Sequence, residues 1–474
     1  MVIIIIFVTI KFNQVTLIKS ISGIRGTIGG KVGENLTPID TVRFASAYGM
    51  WLKQRSHKSN PKVVIGRDAR ISGQMVSRLV VASLQSLNID VVNLGLSTTP
   101  TVELSVEMHQ ADGGIIITAS HNPKQWNALK LLNEKGEFVN GEDGNQILDI
   151  AENDKFDFSE VDFLGDYQED NTAMEKHIDS VLKLPLVDLA LIKSKKIKVV
   201  VDAVNSTGGI IIPSLLEKLG VECIQLYCEP NGLFPHNPEP LAEHLQDISK
   251  KVVEHDADFG IVVDPDVDRL AIVNEDGSMF GEEYTLVAIA DYVLSKTKGN
   301  TVSNLSSSRA LRDVTEKHGA KYYASAVGEV NVVQTMKQYD AIIGGEGNGG
   351  IIYPESHYGR DSIVGIALFL THYAIQGLAC KELRETYPSY FMSKNKIELN
   401  PSIDVDSILR NMEEKYKNED VNTIDGVKID FESEWVHLRK SNTEPIIRIY
   451  TESTSVVNAN ALADNIINEI KDII

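Results

Sequence analysis

Residues 259–277 read FGIVVDPDVDRLAIVNEDG. An apolar run ends at Val263, a polar loop extends from Asp264 to Arg269, and a second apolar run begins at Leu270. Two short β-branched runs on either side of a polar loop predict two strands, with the loop at one end of a sheet. We therefore expect the chemistry of this segment in its loop.

Two other segments repeat this arrangement. LKLLNEKG, beginning at Leu129, resembles LAIVNEDG, beginning at Leu270, and each directly follows a polar loop. A third loop, Gly344 to Gly350, is rich in glycine and follows the apolar run from Ala341 to Ile343. Repetition of one unit indicates duplication, and we predict three related domains that each contribute one loop.

The rest of the chain has the rhythm of an α/β protein. Short apolar runs such as Val63 to Ile65 and Val91 to Leu94 flank a segment of helical length, Gln74 to Leu87. This alternation is typical of βαβ units. After about Ser389, four strand-like runs precede one closing helix, Val457 to Ile473, which predicts a smaller α+β domain.

A chain of 474 residues is too long for one hydrophobic core, because cores stop growing at roughly 250 to 300 residues. We predict an α/β fold class, with three related mixed-sheet α/β domains and a smaller C-terminal α+β domain. The predicted domains are 1–165, 166–276, 277–388 and 389–474. The acidic stretch from Glu152 to Asp170 is the expected first linker.

The composition, 43% hydrophobic and 24% charged, is typical of a soluble globular protein. A formal net charge of -20 argues against nucleic-acid and membrane partners, since both require a basic surface. An anionic substrate must then meet locally placed Arg and Lys side chains. The three cysteines form no metal-ligand pattern, and their odd number predicts reduced thiols in a cytoplasmic protein.

The first ten residues contain the apolar run Ile3 to Val8. This run is far shorter than the roughly 20 residues that a membrane span needs, and it lacks the basic residues and the cleavage site of a secretory signal. We interpret it as the product of a mis-assigned start codon, and we expect the chain to begin near Thr16. Mass spectrometry of the native N-terminus tests this interpretation.

Three carboxylates, Asp264, Asp266 and Asp268, occupy alternate positions in the loop after Val263. A curved loop could turn all three toward one ion, and hard oxygen ligands favour Mg²⁺ or Ca²⁺. An EF-hand is excluded because Arg269 stands at the glycine position of that loop and a strand follows. The alternative is a solvated acidic turn, which Arg269 and the flanking apolar strands oppose.

Ser120 follows the apolar run that ends at Ile117, in the region where open α/β sheets bind ligands. Its hydroxyl is a candidate nucleophile, His121 is a candidate acid or base, and Lys130 is a candidate for proton transfer. Taken alone, a serine before His-Asn-Pro is typical of a helix cap or a turn. The distant aspartate loop favours the catalytic interpretation.

Two further loops carry polar groups suited to a sugar phosphate. The loop from Gly344 to Gly350 lacks the features of a P-loop or a dinucleotide site, and its Glu346 and Asn348 suit sugar hydroxyls, although a plain turn would look the same. The loop RKSNTEP, from Arg439 to Pro445 with Arg448 beyond it, offers a guanidinium, hydroxyls and an amide to a phosphate. A surface salt-bridge loop is the alternative for this last segment.

Together these loops resemble the α-D-phosphohexomutase family, from about Leu17 to the end of the chain. Four motifs follow the family's order: TASHNP around Ser120, DPDVDR from Asp264, GEGNGG around Glu346, and RKSNTEP from Arg439. SGIRG at 22–26 and GRDAR at 66–70 match the family's first domain. A chance match of all six segments is excluded by their number and order.

The resemblance implies four domains around a central cleft, each supplying one loop. Ser120 would be the phosphoserine, and one Mg²⁺ would be held by an oxygen of its phosphate together with Asp264, Asp266 and Asp268. The remaining implied roles are proximity to the metal for Arg25 and Arg269, general base and acid for Lys130 and His121, selection of sugar hydroxyls for Glu346 and Asn348, and a clamp on the second phosphate for Arg439, Ser441, Asn442, Thr443 and Arg448.

The implied activity is interconversion of a hexose 6-phosphate and a hexose 1-phosphate, primed by a hexose 1,6-bisphosphate that turns over in the cleft. Gly350 stands where many bacterial members have His, and the run from Val327 to Val332 is similar to archaeal-type enzymes. We therefore expect glucosamine phosphates, with mannose and glucose phosphates as the alternative. A phosphatase would leave Ser120 unexplained, a non-catalytic sensor would have lost a site residue, and a monomer or homodimer is expected.

Overall fold

The computed structural model describes residues 15–20, 23–398, 403–440 and 446–473. The predictions for the N-terminal apolar run, and for Ser441, Asn442 and Thr443, lie outside these residues. Within the described residues, no helix is both long and apolar enough to cross a membrane.

Domain I is built on a seven-stranded mixed sheet with the strand order β1-β2-β6-β5-β3-β4-β7. Its elements are β1 Ile18–Ser20, β2 Gly23–Thr27, α1 Pro38–Arg55, β3 Lys62–Arg67, α2 Gly73–Gln85, β4 Asp90–Leu96, α3 Thr99–Met108, β5 Gly113–Ile117, β6 Trp126–Leu132, α4 Gly141–Glu152 and β7 Tyr167–Glu169. Strand β7 lies beyond the predicted boundary at residue 165 and pairs in parallel with β4. The acidic segment predicted as a linker therefore ends in an edge strand of the first sheet.

Domain II has a four-stranded sheet with the order β11-β10-β8-β9. Its elements are α5 Ala173–Val181, α6 Leu189–Lys195, β8 Lys198–Asp202, α7 Gly208–Leu219, β9 Glu222–Leu226, α8 Gln246–Glu254, β10 Phe259–Val263 and β11 Leu270–Asn274. All residues of β10 and β11 are buried, which explains why both strands read as continuous apolar runs rather than as alternating ones.

Domain III also has a four-stranded sheet, with the order β13-β12-β14-β15. Its elements are α9 Glu282–Lys296, β12 Asn300–Asn304, α10 Ala310–Lys317, β13 Tyr322–Ser325, α11 Glu329–Gln338, β14 Ala341–Glu346, β15 Gly350–Ile352, α12 Ser362–Gln376 and α13 Cys380–Glu385. Strand β14 continues to Glu346 and β15 begins at Gly350, so residues 347–349 of the predicted glycine-rich loop form the tight connection and its remaining residues belong to the two strands.

The three α/β domains share one four-strand pattern. In each, an antiparallel hairpin strand (β6, β11 or β15) pairs with a central strand (β5, β10 or β14), which continues in parallel to two more strands. The connection between the central strand and its hairpin partner is the Ser120 loop in domain I, the aspartate loop in domain II and the glycine-rich loop in domain III. The predicted relationship among the domains is confirmed, and their loops are structurally equivalent.

Domain IV is the predicted smaller α+β domain. Its five-stranded antiparallel sheet has the order β16-β20-β19-β18-β17. Its elements are β16 Phe391–Glu398, α14 Val405–Lys415, β17 Asp420–Asn422, β18 Val427–Asp430, β19 Trp435–Lys440, β20 Ile446–Ser453 and α15 Val456–Ile473. Of the basic residues predicted to bind phosphate, Arg439 lies near the end of β19 and Arg448 lies on β20.

Domains II and III share one hydrophobic core, whereas domains I and IV have their own. Helix α12 of domain III, which is almost entirely buried, packs into this shared core. Its Phe369 meets Phe259 of β10 edge to face, with ring centroids 5.4 Å apart. Because most of α12 is buried, its sequence is largely apolar rather than amphipathic.

Candidate active site

Described residues of all four sequence motifs line one cleft with a volume of about 610 Å³. Of the residues predicted from the sequence, those that line it are Arg25, Ser120, His121, Lys130, Arg269, Glu346 and Arg439. Asp264, Asp266 and Asp268 are fully buried and contact several of these lining residues. The structure thus brings together residues from all four domains.

Ser120 is held in a strained and largely buried position. Its φ of 46° is in the left-handed region, which is unusual for a residue other than glycine and is concentrated at functional sites. The Ser120 hydroxyl donates a 2.6 Å hydrogen bond to Oδ2 of Asp264, and its Oγ lies 3.4 Å from Nδ1 of His121. The predicted nucleophile therefore contacts both the aspartate loop and its predicted acid or base.

Arg70, which lies in the GRDAR segment, holds the Ser120 loop in place. Its guanidinium donates to the carbonyl oxygens of Ser120, Asn122, Pro123 and Trp126, at distances from 2.5 to 3.0 Å. Its Nε donates to Oδ2 of Asp68 at 2.9 Å. Arg70 is 1% exposed. A buried guanidinium that satisfies four carbonyl groups fixes the path of the connection between β5 and β6.

The three aspartates form a compact buried triad. One carboxylate oxygen from each lies within 4.8 Å of the others. Oδ1 of Asp264 accepts the backbone N–H groups of Asp268 and Arg269 at 3.1 and 3.2 Å, so the loop curls around this carboxylate. Val267, with a φ of 64°, makes the left-handed turn that this curl requires.

Two oxygens of the triad are left for a cation. Oδ1 of Asp266 and Oδ1 of Asp268 are buried and have no hydrogen-bond partner among the described residues, although buried polar atoms are nearly always paired. Burial and the charges of Asp268 and Asp266 also raise the pKa of Asp264 well above 3.8. Hard carboxylate oxygens with unused lone pairs fit a divalent cation. The triad could therefore hold a metal ion.

Lys130 arrives from strand β6 and donates to Oδ2 of Asp266 at 2.7 Å and to Oδ2 of Asp268 at 3.4 Å. Burial alone would lower the pKa of Lys130, but the two carboxylates raise it above 10.5. The Lys130 side chain is therefore an ammonium group that donates hydrogen bonds to the triad.

His121 has the opposite electrostatic surroundings. Burial, and then the nearby cations of Arg269 and Arg25, lower its pKa from 6.5 to about 2 despite the opposing effect of Asp268. The imidazole is therefore neutral in this arrangement. A dianionic phosphate in the cleft would oppose the arginine charges and raise this pKa.

Arginines from three domains place positive charge near the cleft, although the net charge of the chain is -20. Nε of Arg25 and Nε of Arg269 are buried without a hydrogen-bond partner among the described residues. Burial, followed by the charge of Arg448, lowers the pKa of Arg25, which places the exposed Arg448 of domain IV in electrostatic reach of domain I. Nε of Arg439 lies 2.8 Å from Oδ2 of Asp425. Guanidinium groups with unused donors favour a phosphate ligand.

The glycine-rich loop presents Glu346 to the cleft. Oε1 of Glu346 accepts from Nδ2 of Asn304 at 2.9 Å and from the Gly328 N–H at 3.1 Å. Its Oε2 accepts from Nη1 of Arg360 at 2.7 Å. Asn348 is not among the residues that line the cleft, and its Oδ1 accepts from the Gly350 N–H at 3.2 Å. Its predicted contact with sugar hydroxyls stays a prediction.

Three residues of this site had no assigned role in the sequence: Arg70, Arg360 and Asp425. Arg360 contacts both Asp268 and Glu346. Asp425 pairs with Arg439 and accepts the Val327 N–H at 2.9 Å, so it connects domain IV with domain III. Arg70 lies in the GRDAR segment at 66–70, but no local pattern indicates the partners of Arg70 or of Arg360.

Family models match the chain in four consecutive segments. They describe phosphoglucomutase/phosphomannomutase alpha/beta/alpha domain I over residues 17–158, domain II over 175–277, domain III over 281–390, and the C-terminal domain over 398–469. Each of the four loops of the cleft falls in a different one of these matches.

Individual proteins match over nearly the full length. A phosphoglucomutase/phosphomannomutase from Thermococcus kodakarensis is 34% identical over 91% of this chain and 94% of its own. A probable phosphoglucosamine mutase from Methanopyrus kandleri is 31% identical over 95% of this chain and 97% of its own. The crystal structure of a phosphoglucomutase/phosphomannomutase family protein from Burkholderia thailandensis has a TM-score of 0.83 at 23% identity, covering 97% of this chain and 98% of its own, and thus has the same fold.

Proposed function

The chain belongs to the phosphoglucomutase/phosphomannomutase family and is a phosphohexomutase, and we propose that it passes the phosphoryl group through Ser120 and prefers glucosamine phosphates. The observation that carries the role of Ser120 is its 2.6 Å hydrogen bond to Asp264. This contact joins a candidate phosphoryl carrier to a triad with two unpaired carboxylate oxygens.

The proposed reaction consists of two phosphoryl transfers. In the first, a hydroxyl oxygen of the hexose phosphate bonds to the phosphorus on phospho-Ser120, the Ser120 Oγ–P bond breaks, and the product is a hexose bisphosphate. In the second, Ser120 Oγ bonds to the other phosphorus of the reoriented bisphosphate and releases the isomeric hexose phosphate. A hexose 1,6-bisphosphate primes an unphosphorylated enzyme in the same way.

The residues of domains I and II supply positioning and charge for both transfers. Asp264, Asp266 and Asp268, with an oxygen of the phosphate on Ser120, would hold one Mg²⁺. Bound there, the ion would supply Lewis acidity that offsets the negative charge of the transferring group. Arg70 fixes the Ser120 loop. Lys130 and His121 are the candidates for moving the hydroxyl protons, with the Lys130 ammonium able to donate a proton and the neutral His121 imidazole able to accept one, the reverse of the base and acid roles implied by the resemblance.

The residues of domains III and IV bind the rest of the substrate. Glu346 lines the cleft and would accept hydrogen bonds from sugar hydroxyls. Arg439, with Ser441, Asn442 and Thr443 of the same loop and Arg448 on β20, would bind the phosphate that is not reacting. One clamp must serve two substrate orientations, because each phosphate becomes the non-reacting one in turn.

Two observations support glucosamine phosphates. Relatives that match nearly the whole chain are named as probable phosphoglucosamine mutases. The carboxylates of Glu329 and Glu346 also line the cleft, and an ammonium group on the sugar would be favoured beside them. A second candidate, a phosphoglucomutase/phosphomannomutase, is favoured by the name of the Thermococcus kodakarensis relative.

The test is a comparison of kcat/KM for glucosamine, glucose and mannose phosphates, with purified protein, Mg²⁺ and glucose 1,6-bisphosphate. We expect isomerisation with the glucosamine phosphates at a kcat/KM about tenfold or more above the others. A higher kcat/KM with glucose or mannose phosphates would overturn the glucosamine assignment. Release of inorganic phosphate faster than isomerisation would overturn the mutase assignment.

A further inference from the structure

Arg360 occupies the space that a side chain at position 350 would need. A Cβ added to Gly350 would lie 2.3 Å from Cδ and 3.1 Å from Cγ of Arg360. The backbone explains the proximity, because Arg360 forms an antiparallel bridge with Ile352, two residues beyond Gly350. Gly350 in turn lies opposite Glu346 in the β14–β15 pair. Because Gly350 has no side chain, Arg360 can reach Glu346 in the glycine-rich loop.

The Arg360 guanidinium joins three acidic residues. Nη2 donates to Oδ2 of Asp268 at 2.7 Å, Nη1 donates to Oε2 of Glu346 at 2.7 Å, and Nε donates to Oε2 of Glu329 at 3.0 Å. Arg360 lines the cleft and is only 8% exposed. A planar guanidinium with fixed donor directions imposes the geometry of its partners, which a lysine at this position would not do.

We propose that Arg360 is a positioning residue that holds the Glu346 carboxylate of the glycine-rich loop at a fixed distance from the Asp268 carboxylate of the aspartate loop. We also propose that glycine is required at position 350 to leave space for the Arg360 side chain. This proposal rests on the proposed function and adds a coupling between two subsites on different domains. The sugar would then be held in a defined position relative to the cation that the triad binds.

The contact with Arg360 leaves the other oxygen of Asp268 available. Oδ2 of Asp268 accepts from Arg360, whereas Oδ1 has no hydrogen-bond partner among the described residues. The main chain of Asp268 is held independently by its N–H bond to Asp264. Loss of Arg360 therefore removes a positive charge beside the triad without releasing the loop that carries it.

The first experiment is a double-mutant cycle of Gly350→Ala and Arg360→Ala, with Arg360→Lys as the conservative variant. We expect each single alanine variant to raise KM for the hexose phosphate and to lower kcat, reducing kcat/KM by about a hundredfold. In the Arg360→Ala background, Gly350→Ala should cost much less, since of the three closest contacts of its Cβ only that with Oδ1 of Asn348 at 3.2 Å then remains. Arg360→Lys should recover part of the lost kcat/KM.

The outcomes distinguish positioning of Glu346 by Arg360 from a nonspecific loss of folding or activity. Equal costs of Gly350→Ala in both backgrounds would overturn the claim that the two residues share one space. A fall in kcat with unchanged KM in both Arg360 variants would overturn the claim that Arg360 sets Glu346. The exposed Arg410, whose side chain is 66% exposed in its pair with Asp404, provides the matched control Arg410→Ala, and thermal unfolding monitors folding of every variant.

The second experiment measures Mn²⁺ binding by electron paramagnetic resonance without any sugar phosphate. Because Arg360 places a positive charge 2.7 Å from Asp268, we expect Arg360→Ala to bind Mn²⁺ about tenfold more tightly than the unmodified protein while turning over more slowly. Weaker or unchanged Mn²⁺ binding would overturn the proposal. This result is independent of mutase activity, so it distinguishes failure of this inference from failure of the proposed function.

Discussion

The Ser120 hydroxyl of domain I donates a 2.6 Å hydrogen bond to the Asp264 carboxylate of domain II. The two residues lie in equivalent connections, β5 to β6 and β10 to β11, of two domains with the same strand pattern. Duplication has thus placed two versions of one loop face to face, one carrying a nucleophile and the other a metal-binding triad. The following predictions depend on this juxtaposition.

Asp264→Asn is expected to reduce kcat/KM about a thousandfold, because it removes charge from the triad next to the phosphoryl carrier. The Mg²⁺ concentration that gives half-maximal activity should be higher for the variant. After chelation, addition of Mg²⁺ should restore the mutase activity of the unmodified protein only. Asp276→Asn, in the exposed turn after β11, is the control. Activity of Asp264→Asn close to that of the control would contradict a role in metal binding.

Arg70→Lys is expected to lower kcat about a hundredfold with little change in KM, since displacement of the Ser120 loop by about 1 Å misaligns the transfer. Lysine cannot donate to the four carbonyl groups that Arg70 holds. Steady-state kinetics measure both constants, and Arg78→Lys at an exposed position of α2 is the control. Full activity of Arg70→Lys would mean that the loop holds its shape without this residue.

Glu346→Gln is expected to raise KM and to lower kcat/KM between about tenfold and a hundredfold. Both Glu346 oxygens accept from donors, which are Asn304, the Gly328 N–H and Arg360. An amide NH₂ group would face at least one of these donors and leave it unpaired. The same assay with Glu355→Gln, an exposed position, is the comparison, and equal KM values in the two variants would argue against a substrate-binding role.

Acidification is expected to weaken the junction between domains III and IV through His437. Nδ1 of His437 pairs with Oγ of Ser306 at 2.9 Å, and Nε2 donates to the Asp425 carbonyl at 2.7 Å. Burial, with the charges of Lys428 and Arg439, lowers the pKa of His437 from 6.5 to about 4, although its hydrogen bond to Asp425 opposes this shift.

His437 therefore binds a proton more weakly in the folded state than in the unfolded state. Its contribution to the free energy of unfolding is complete above pH 6.5 and is lost as the pH falls toward 4. Thermal unfolding across this range should show a flatter pH dependence for His437→Gln, which does not titrate. His57→Gln, at an exposed position, should keep the slope of the unmodified protein. Parallel curves for all three proteins would exclude this contribution.

The sequence predicted the parts of the fold that depend on local patterns. Fully buried strands such as Phe259–Val263 appear as unbroken apolar runs, and the strand entering a turn after Leu270 and after Leu129 appears twice in similar letters. The motifs around Ser120, Asp264 and Glu346 lie where the central strands of three separate sheets end, and their convergence on one cleft was implied by the family resemblance rather than by a local pattern.

The contacts that depend on residues far apart in the chain were not predictable in this way. Arg360 acts through Asp268, which is 92 positions away, and Arg70 acts through carbonyl groups, which any residue would provide. Strand β7 pairs with β4 although its own residues are exposed, so no apolar pattern marks it. No local pattern in helix α12 identifies the core of domain II as its packing partner.

The most direct test of the account is phosphoryl transfer from radiolabelled glucose 1,6-bisphosphate, followed by peptide mapping of the protein. We predict that the label is found on Ser120, that Ser120→Ala is neither labelled nor active as a mutase, and that Ser214→Ala at an exposed position behaves as the unmodified protein. Full mutase activity of Ser120→Ala, or an active protein labelled only at another residue, would contradict the central claim that Ser120 carries the phosphoryl group.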